Sequence, residues 1–314
     1  MTRGRERGFV LLAVLLVLTL LAVVVTELAF SARLEASMVR SYRDGVLARH
    51  LAEAGVQQAI REIATPAQVA ALDETGQLVF YRVLPGQTTP TRLPALPRVR
   101  VALGAGEFSY RLADESARLG LNTPAPNRFA RLLDALGVDA SERDIIVDSL
   151  QDWRDADELA RLHGAESEFY LALPVPYRGR NANLQDVAEL LQIRGVTPEL
   201  FWGAGDRPGL GDLVTAAAAS VNLNTASPFV LKALGLSDAE IADVVQTRAH
   251  APYPSVPGRF AGRGLAVGSS VFRVEAEGRV AGVVRSRVVA VVQRGRRNAP
   301  LEATIVSWRP VPET

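Results

Sequence analysis

Hydrophobic and polar positions first follow a helical pattern. An apolar run covers Phe9–Val25 and would span roughly 26 Å as a helix, close to the hydrocarbon thickness of a bilayer. Apolar residues then recur about every four positions over 30–60, with polar residues between them. The pattern ends at Thr65-Pro66. Residues 9–64 are therefore predicted to form one helix, half in lipid and half amphipathic.

Two later stretches change to a period of two, which is typical of strands. The first predicts strands at Leu78–Leu84, Arg98–Leu103 and Glu107–Leu112, with a proline-rich loop over Pro85–Pro97. The second predicts strands at Phe272–Val280, Val284–Gln293 and Thr304–Trp308. Between them lie short capped helical segments, predicted at Pro126–Leu136, from Ser141 through Trp153, at Gln185–Ile193, from Pro198, at Pro228–Leu234 and from Asp238 to Thr247.

The predicted fold class is α+β. A transmembrane and spine helix joins an antiparallel sheet, and a large all-helical domain is inserted into that sheet. The predicted organisation is a leader over 1–8, a transmembrane part over 9–30, a first α+β part over 31–118, the inserted domain over 119–267 and the remaining sheet over 268–314.

Composition narrows the function. The 314 residues carry a formal net charge of +1, which disfavours a globally basic nucleic-acid binder. The chain has no cysteine, which excludes disulfides, thiolate metal sites and cysteine nucleophiles. Its three histidines, His50, His163 and His250, are too far apart for a recognisable zinc motif. Charge is nevertheless partitioned: residues 134–168 carry 11 acidic residues and 3 arginines, a net charge of −8.

The N-terminus allows three interpretations. Arginines precede Gly8-Phe9 and the apolar run, so the positive-inside tendency places residues 1–8 in the cytoplasm. A cleaved secretory signal, a plain signal anchor and a prepilin-type leader cut between Gly8 and Phe9 all fit this pattern. The helix that continues past the apolar run disfavours an ordinary signal peptide.

The densest polar constellation runs from Asp152 to Tyr170. Asp155 and Asp157 lie two residues apart near a helix end, and Glu166 follows on the same segment. Converging carboxylates repel one another unless a hard cation such as calcium neutralises them. The segment is not an EF-hand, since positions 5 and 6 of such a loop would be leucine and alanine. An acidic surface loop with arginine counter-ions is the alternative.

A second constellation, Ser220–Arg248, is similar to a helix–hairpin–helix unit, whose hairpin can bind phosphate. Only Gly235 is present there, and acidic residues follow it, so a structural role is favoured, with Asn224 and Ser227 as caps. We find no catalytic constellation and expect no enzyme. A periplasmic hydrolase that uses the acidic loop stays an alternative.

Together these stretches resemble the general secretion pathway protein K family, the largest minor pseudopilins of type II secretion systems. The blocks that carry the resemblance are the Gly-Phe boundary, DESARLGLNT at 114–123, DSLQDWRDADE at 148–158, HGAESEFY at 163–170 and SVNLNTAS at 220–227. The loop at 200–219 and the tail after Gly295 match the family poorly.

The resemblance implies cleavage between Gly8 and Phe9 by the prepilin peptidase and methylation of the new N-terminus. It implies a pseudopilin fold and a calcium site, which we carry over to Asp155, Asp157, Glu166 and Glu168, with Asp152 as a further candidate. Pilins usually have Glu at the fifth mature position; this chain has Ala13, as is typical of protein K.

The implied partners are the minor pseudopilins I and J, in a tip complex that initiates the pseudopilus and contacts cargo or the secretin. The implied location is the inner membrane, with a single pass, a cytoplasmic N-terminus and the bulk of the chain in the periplasm. Two alternatives stay open: a membrane-tethered helix–hairpin–helix DNA-binding protein, and a minor pilin of a type IV pilus.

Overall fold

The computed structural model describes residues 3–87, 89–123, 125–295 and 302–311. Side chains are described from Phe9 onward. The first two leader residues and parts of the C-terminal tail, 296–301 and 312–314, lie outside the described residues.

The helices begin and end close to the positions that the caps indicate. They are α1 (Arg3–Ile63), α2 (Pro126–Ala135), α3 (Ala140–Arg154), α4 (Ser167–Leu171), α5 (Pro198–Trp202), α6 (Leu210–Leu213), α7 (Pro228–Ala233) and α8 (Asp238–His250). Ser227 is the N-cap of α7, as predicted, and Ser237 is the N-cap of α8. The helix predicted at Gln185–Ile193 is instead a 3₁₀ helix, Val187–Gln192, with a capping box between Asp186 and Glu189. Two shorter 3₁₀ turns lie at Glu115–Ala117 and Gly258–Phe260.

The strands include several that the sequence pattern did not indicate. They are β1 (Val69–Leu72), β2 (Leu78–Arg82), β3 (Thr91–Arg92), β4 (Val101–Leu103), β5 (Gly106–Asp114), β6 (Leu119–Gly120), β7 (Gly203–Ala204), β8 (Arg207–Pro208), β9 (Val214–Thr215), β10 (Val221–Asn222), β11 (Leu265–Ala266), β12 (Val271–Val280), β13 (Val283–Arg294) and β14 (Ala303–Val311). β1 was missed, and β3 lies within the segment predicted as loop. The other two-residue strands, β6 to β11, lie in the segment predicted as purely helical.

One five-stranded antiparallel sheet organises the molecule, in the order β14-β13-β12-β5-β4. β5 and β12 are neighbours in this sheet, with Asp114 paired with Phe272, although about half of the chain separates them. A large, mainly helical segment is therefore inserted between two adjacent strands. The fold is α+β with an inserted domain, as the sequence predicted.

The C-terminal half of α1 lies on one face of this sheet, and small residues allow a close approach. Ala48, Ala52 and Ala59 are fully buried on the helix. Opposite them, a Cβ on Gly278 of β12 would overlap the backbone of Ala48. Glycine at 278 therefore sets how near the helix comes to the sheet.

Two hydrophobic cores match the two parts of the fold. One lies between α1 and the sheet and includes Val56, Phe272 and Ala290. The other lies within the insertion and includes Trp153 and Tyr170. Ile146 and Leu150 of α3 are buried in the second core.

A buried polar network connects the cores. Asp114, at the end of β5, accepts hydrogen bonds from Ser116 N, Asn222 Nδ2, Thr225 Oγ1 and Ser269 Oγ. Asn224, predicted as a cap, is instead a buried link: its side chain donates to Tyr253 O and accepts from Tyr253 N. The SVNLNTAS block at 220–227 therefore forms the junction between the insertion and the sheet, through its buried polar side chains.

Arg98 was predicted to begin a strand, but β4 begins only at Val101. It lies before β4 and is buried, where it forms an ion pair with Glu62 near the end of α1 (2.6 Å) and donates to Leu78 O. Tyr110 of β5 donates to the same carboxylate at 2.8 Å. A buried charge is stable only when it is paired or hydrogen-bonded. The contacts of Arg98 and Tyr110 with Glu62 therefore hold the loop before β4 against the helix.

Candidate metal centre

The acidic loop joins the end of α3 to the start of α4. Asp155 is the C-cap of α3, and its backbone N–H donates to Gln151 O. Glu166 is the N-cap of α4, but its side chain forms no capping hydrogen bond. Two of the predicted ligands are thus placed by helix ends, which makes their positions rigid.

Asp152 and Arg161 fold the loop between these ends. Asp152 is fully buried in α3 and accepts from the backbone N–H and the guanidinium of Arg161. The same guanidinium reaches Asp155 Oδ2 at 2.6 Å. Asp152 is therefore occupied by an internal cation, which argues against it as a metal ligand. Arg161 is the counter-ion that the sequence suggested, whereas Arg154 donates to a backbone carbonyl, Thr123 O.

Gly164 is required by this fold of the loop. A Cβ at this position would overlap the Asp152 carboxylate, so any larger residue would displace it. Arg194 also holds the backbone here, since it donates to Gly164 O at 3.0 Å. The HGAE part of the HGAESEFY block is thus explained by a close approach between the loop and α3.

The folded loop brings three of the four predicted ligands together. One carboxylate oxygen from each of Asp155, Asp157 and Glu166 lies within 4.8 Å of the others. Glu168, the fourth, is exposed in the first turn of α4 and does not belong to this cluster. The three clustered carboxylates span exposed to buried positions, so the site is open on one side.

The cluster has uncompensated negative charge. Burial raises the pKa of Glu166 to about 7, and repulsion by Asp152, Asp155, Glu158 and Asp157 adds to the effect. Glu166 is only 5% exposed, yet neither of its carboxylate oxygens accepts a hydrogen bond from the described residues. Asp155 Oδ1 is likewise buried without a donor from the described part of the chain. Buried carboxylate oxygens normally have partners, so these are free to bind a cation.

Asn181 was missed by sequence reasoning. Its amide nitrogen donates to Asp157 O and Glu158 Oε1, at 3.1 and 3.0 Å, and its buried Oδ1 has no donor within the described ranges. The side chain is thus held against the loop with a free oxygen. Its backbone has a φ of 49°, a region that asparagine tolerates better than most residues. A turn residue so far along the chain carries no signal that links it to the acidic loop.

The donors present fit a hard cation. The donors of the cluster are all carboxylate oxygens, which suits calcium or magnesium better than zinc or copper. Calcium in particular accepts six to eight oxygens in flexible geometry, and carboxylates can each supply two. The residues therefore fit the metal that the family resemblance implies.

The helix–hairpin–helix-like unit has no comparable unpaired group. Lys232 is paired with Asp238, Arg263 with Glu240 and Arg259 with Asp243. Arg263 also donates to Gly235 O, in the hairpin itself. These cations are neutralised within the protein, which supports the structural role for this hairpin over phosphate binding.

Gly8 and Phe9 lie inside α1, whose apolar part is long enough to cross a membrane. The helical segment Phe9–Ile63 contains an 18-residue window with a mean hydropathy of 3.2, none of it buried within the protein. An apolar helix of this length without a protein contact is compatible with a single-pass membrane anchor.

A long N-terminal helix that lies on an antiparallel sheet, with a helical domain inserted between two strands of that sheet, is consistent with the pseudopilin fold. A crystal structure of the GspK-GspI-GspJ complex from enterotoxigenic Escherichia coli contains a chain of the same fold. The superposition has a TM-score of 0.61 and covers 89% of this chain and all of that one, at 18% identity.

Sequence comparisons identify proteins that are similar to this chain. The family model for type II secretion system protein K matches residues 110–202. Protein K of Pectobacterium carotovorum subsp. carotovorum is 29% identical over 72% of this chain and 69% of its own length. Protein K of Pseudomonas aeruginosa is 29% identical over 61% of this chain and 62% of its own length. The chain is therefore similar to type II secretion system protein K in both the family model and the curated relatives.

Proposed function

We propose that this protein is the minor pseudopilin that initiates and caps the pseudopilus of a type II secretion system. The proposal rests on the similarity to type II secretion system protein K and on the place where the insertion joins the sheet. It makes the protein an assembly component without catalysis of its own.

The insertion lies at the far end of α1 from the membrane segment, and this observation carries the proposal. Arg294, at the end of β13, donates to Ile63 O at the last residue of α1. Asn222 of the insertion donates to Ala70 O, just beyond that helix. Ile63 is about 50 Å along the helix from residue 30. A bulky domain at this end would obstruct a further subunit above it while leaving the helix free below.

The lower part of α1 supports contacts within a filament. Leu34, Met38 and Tyr42 are more than half exposed although they lie beyond the apolar run. Such a stripe suits packing against neighbouring helices. The crystal structure that shares the fold contains GspI and GspJ with GspK, so we propose the corresponding minor pseudopilins I and J as partners, with cargo or the secretin as further contacts.

Processing should precede assembly. We propose that prepilin peptidase cuts between Gly8 and Phe9, and that the chain then spans the inner membrane once with its bulk in the periplasm. Ala13 removes the need to pair a membrane-embedded carboxylate with a subunit above, which suits a tip position.

Two measurements test the role. Intact mass of the chain from membranes should show a start at Phe9 with one added methyl group, and Gly8→Val should abolish that form. Immunogold labelling of pseudopili should mark one end only. A start elsewhere, or labelling along the whole filament, would contradict the proposal.

We further propose that Asp155, Asp157 and Glu166 bind calcium, with Asn181 Oδ1 as an added ligand. Two unpartnered oxygens on a 5% exposed glutamate support the site. The cation would neutralise the repulsion among the carboxylates and stabilise the loop. Calorimetric titration of the full chain in detergent should give binding that Asp155→Asn and Glu166→Gln each weaken. Glu168→Gln is the matched control and should leave it unchanged.

A further inference from the structure

Two leucines on the acidic loop point into solvent. Leu159 is 78% exposed and Leu162 is 89% exposed. No leucine of the apolar membrane segment is as exposed as either, among the residues that the structure describes. A single exposed leucine is ordinary on a protein surface, but two on one short loop, both almost fully in water, are not explained by folding.

The loop cannot turn these side chains inward, because its backbone is fixed on both sides of them. Leu159 N donates to Asp157 Oδ1 at 2.9 Å, and Arg161 N donates to Asp152 Oδ2 at 3.1 Å. His163 N donates to Asp148 Oδ2 at 3.1 Å. The leucines are therefore presented by a rigid support rather than left on a loose segment.

A rigid loop with exposed leucines is suited to binding. Burying an exposed leucine side chain is favourable, and a fixed loop loses little conformational entropy when it docks. Polar side chains at both positions would avoid exposing apolar surface in the free protein. The gain from these leucines is available only when another molecule covers them.

The charge around the leucines determines the chemistry of that molecule. The loop and the start of α4 that carry and flank the leucines, residues 155–168, contain five acidic residues and one arginine, a net charge of −4, and a bound divalent cation would leave −2. An anionic membrane surface would be repelled, whereas a basic protein surface would be attracted. We propose that Leu159 and Leu162 dock into an apolar pocket, ringed by lysine or arginine, on a protein of the secretion apparatus other than pseudopilins I and J.

The cation site is connected directly to this docking loop. Asp157 is in the ligand cluster and also accepts from Leu159 N. Asp155 is in the cluster and is held by Arg161, between the leucines. Docking should therefore weaken when calcium is removed; this dependence rests on the proposed calcium site, whereas the docking surface itself does not.

The chain has no cysteine, which allows a sharp experiment on the full-length protein in its own membranes. A photo-activated cross-linker is attached to Leu162→Cys. The control is Val99→Cys, because Val99 is 73% exposed and lies before β4, outside the insertion. We expect a cross-linked protein specific to position 162, with lysine or arginine next to the attachment point. Its yield should fall when salt is raised from about 0.1 M to about 1 M, since the screening length shortens from about 10 Å to about 3 Å.

The function of the surface is measured separately. Leu159→Ser combined with Leu162→Ser should lower secretion of the host's own substrate about ten-fold, the effect of losing about 1.4 kcal/mol of binding free energy. Val99→Ser should secrete normally. The double variant should still co-purify with pseudopilins I and J and bind calcium. Both results would show that it folds and assembles.

The outcomes separate the two proposals. Unchanged secretion by the double variant, or a cross-link that is indifferent to salt or shared with position 99, would overturn the docking surface. A salt-sensitive cross-link that also forms fully in a chelator would support the docking surface and reject its link to calcium. Loss of pseudopilin binding in the Leu159→Ser, Leu162→Ser variant would show that the leucines serve assembly, and would also overturn the proposal.

Discussion

Asn222 of the insertion and Asp114 of the sheet form a buried hydrogen bond of 2.9 Å across 108 positions of the chain. The Asn222 amide also lies 2.9 Å from Ala70 O and from Ser269 Oγ. One side chain thus contacts the segment after α1, the end of β5 and the start of the returning chain. This contact makes the insertion and the sheet one structural unit.

Asn222→Ala is therefore expected to destabilise the full chain by about 3 kcal/mol, because hydrogen bonds to a buried charge are worth about 1.5–3 kcal/mol each. Asn183→Ala, at an exposed asparagine of the same domain, is the control and should change stability little. Urea unfolding in detergent measures both. Equal stability of the two variants would mean that the junction is not what holds the domains together.

Glu240 gives an expected pH dependence. The backbone N–H of Ser237 and the guanidinium of Arg263 lower its pKa from 4.5 to about 2. An acid with a lowered pKa in the folded state contributes stability that is present above pH 4.5 and lost as pH falls toward 2.

Glu240→Gln removes this ionisation and should flatten the decline in melting temperature between pH 4.5 and about 2. Thermal unfolding of the full chain and the variant across that range provides the comparison. Parallel curves for both proteins would show that the capping interaction of α8 does not contribute to acid stability.

Local patterns predicted the fold well because the elements have local causes. The four-residue period of α1 and the capping of α8 act over a few residues, and both were confirmed. The strand β1 was missed because Val69–Leu72 is short and becomes a strand only by pairing with β2. Arg98 looked like a strand residue until its ion pair with Glu62 was visible.

Only part of the candidate site was predicted, and that part came from the family resemblance rather than from a local pattern. The carboxylates Asp155, Asp157 and Glu166 lie close in sequence, and a family resemblance selected them. Spacing could not show that Asp152 faces Arg161 or that Glu168 points away. No local sequence pattern could have predicted Asn181, since only the tertiary fold brings it to the loop.

Gly278 should control the distance between α1 and the sheet. Gly278→Ala places a methyl group on the backbone of Ala48, and overpacking of this kind typically costs about 1–3 kcal/mol. Gly45→Ala is the control: Gly45 lies in α1 with no neighbour within 4 Å of an added Cβ, so the change should raise stability by up to about 1 kcal/mol. Opposite signs in urea unfolding would confirm the close approach, and similar effects would contradict it.

Gly164 provides a test of the metal centre that touches no ligand. Gly164→Ala would push the Asp152 carboxylate from its place and so disturb Arg161, which holds Asp155. Changes to groups that orient metal ligands typically lower affinity about 10–100-fold, and we expect a loss of calcium affinity in that range by calorimetry. Gly258→Ala, where an added Cβ meets nothing within 4 Å, should bind calcium normally. If Gly164→Ala binds as tightly as Gly258→Ala while remaining folded, Asp152 and Arg161 do not position the site, and the loop must be organised by the cation alone.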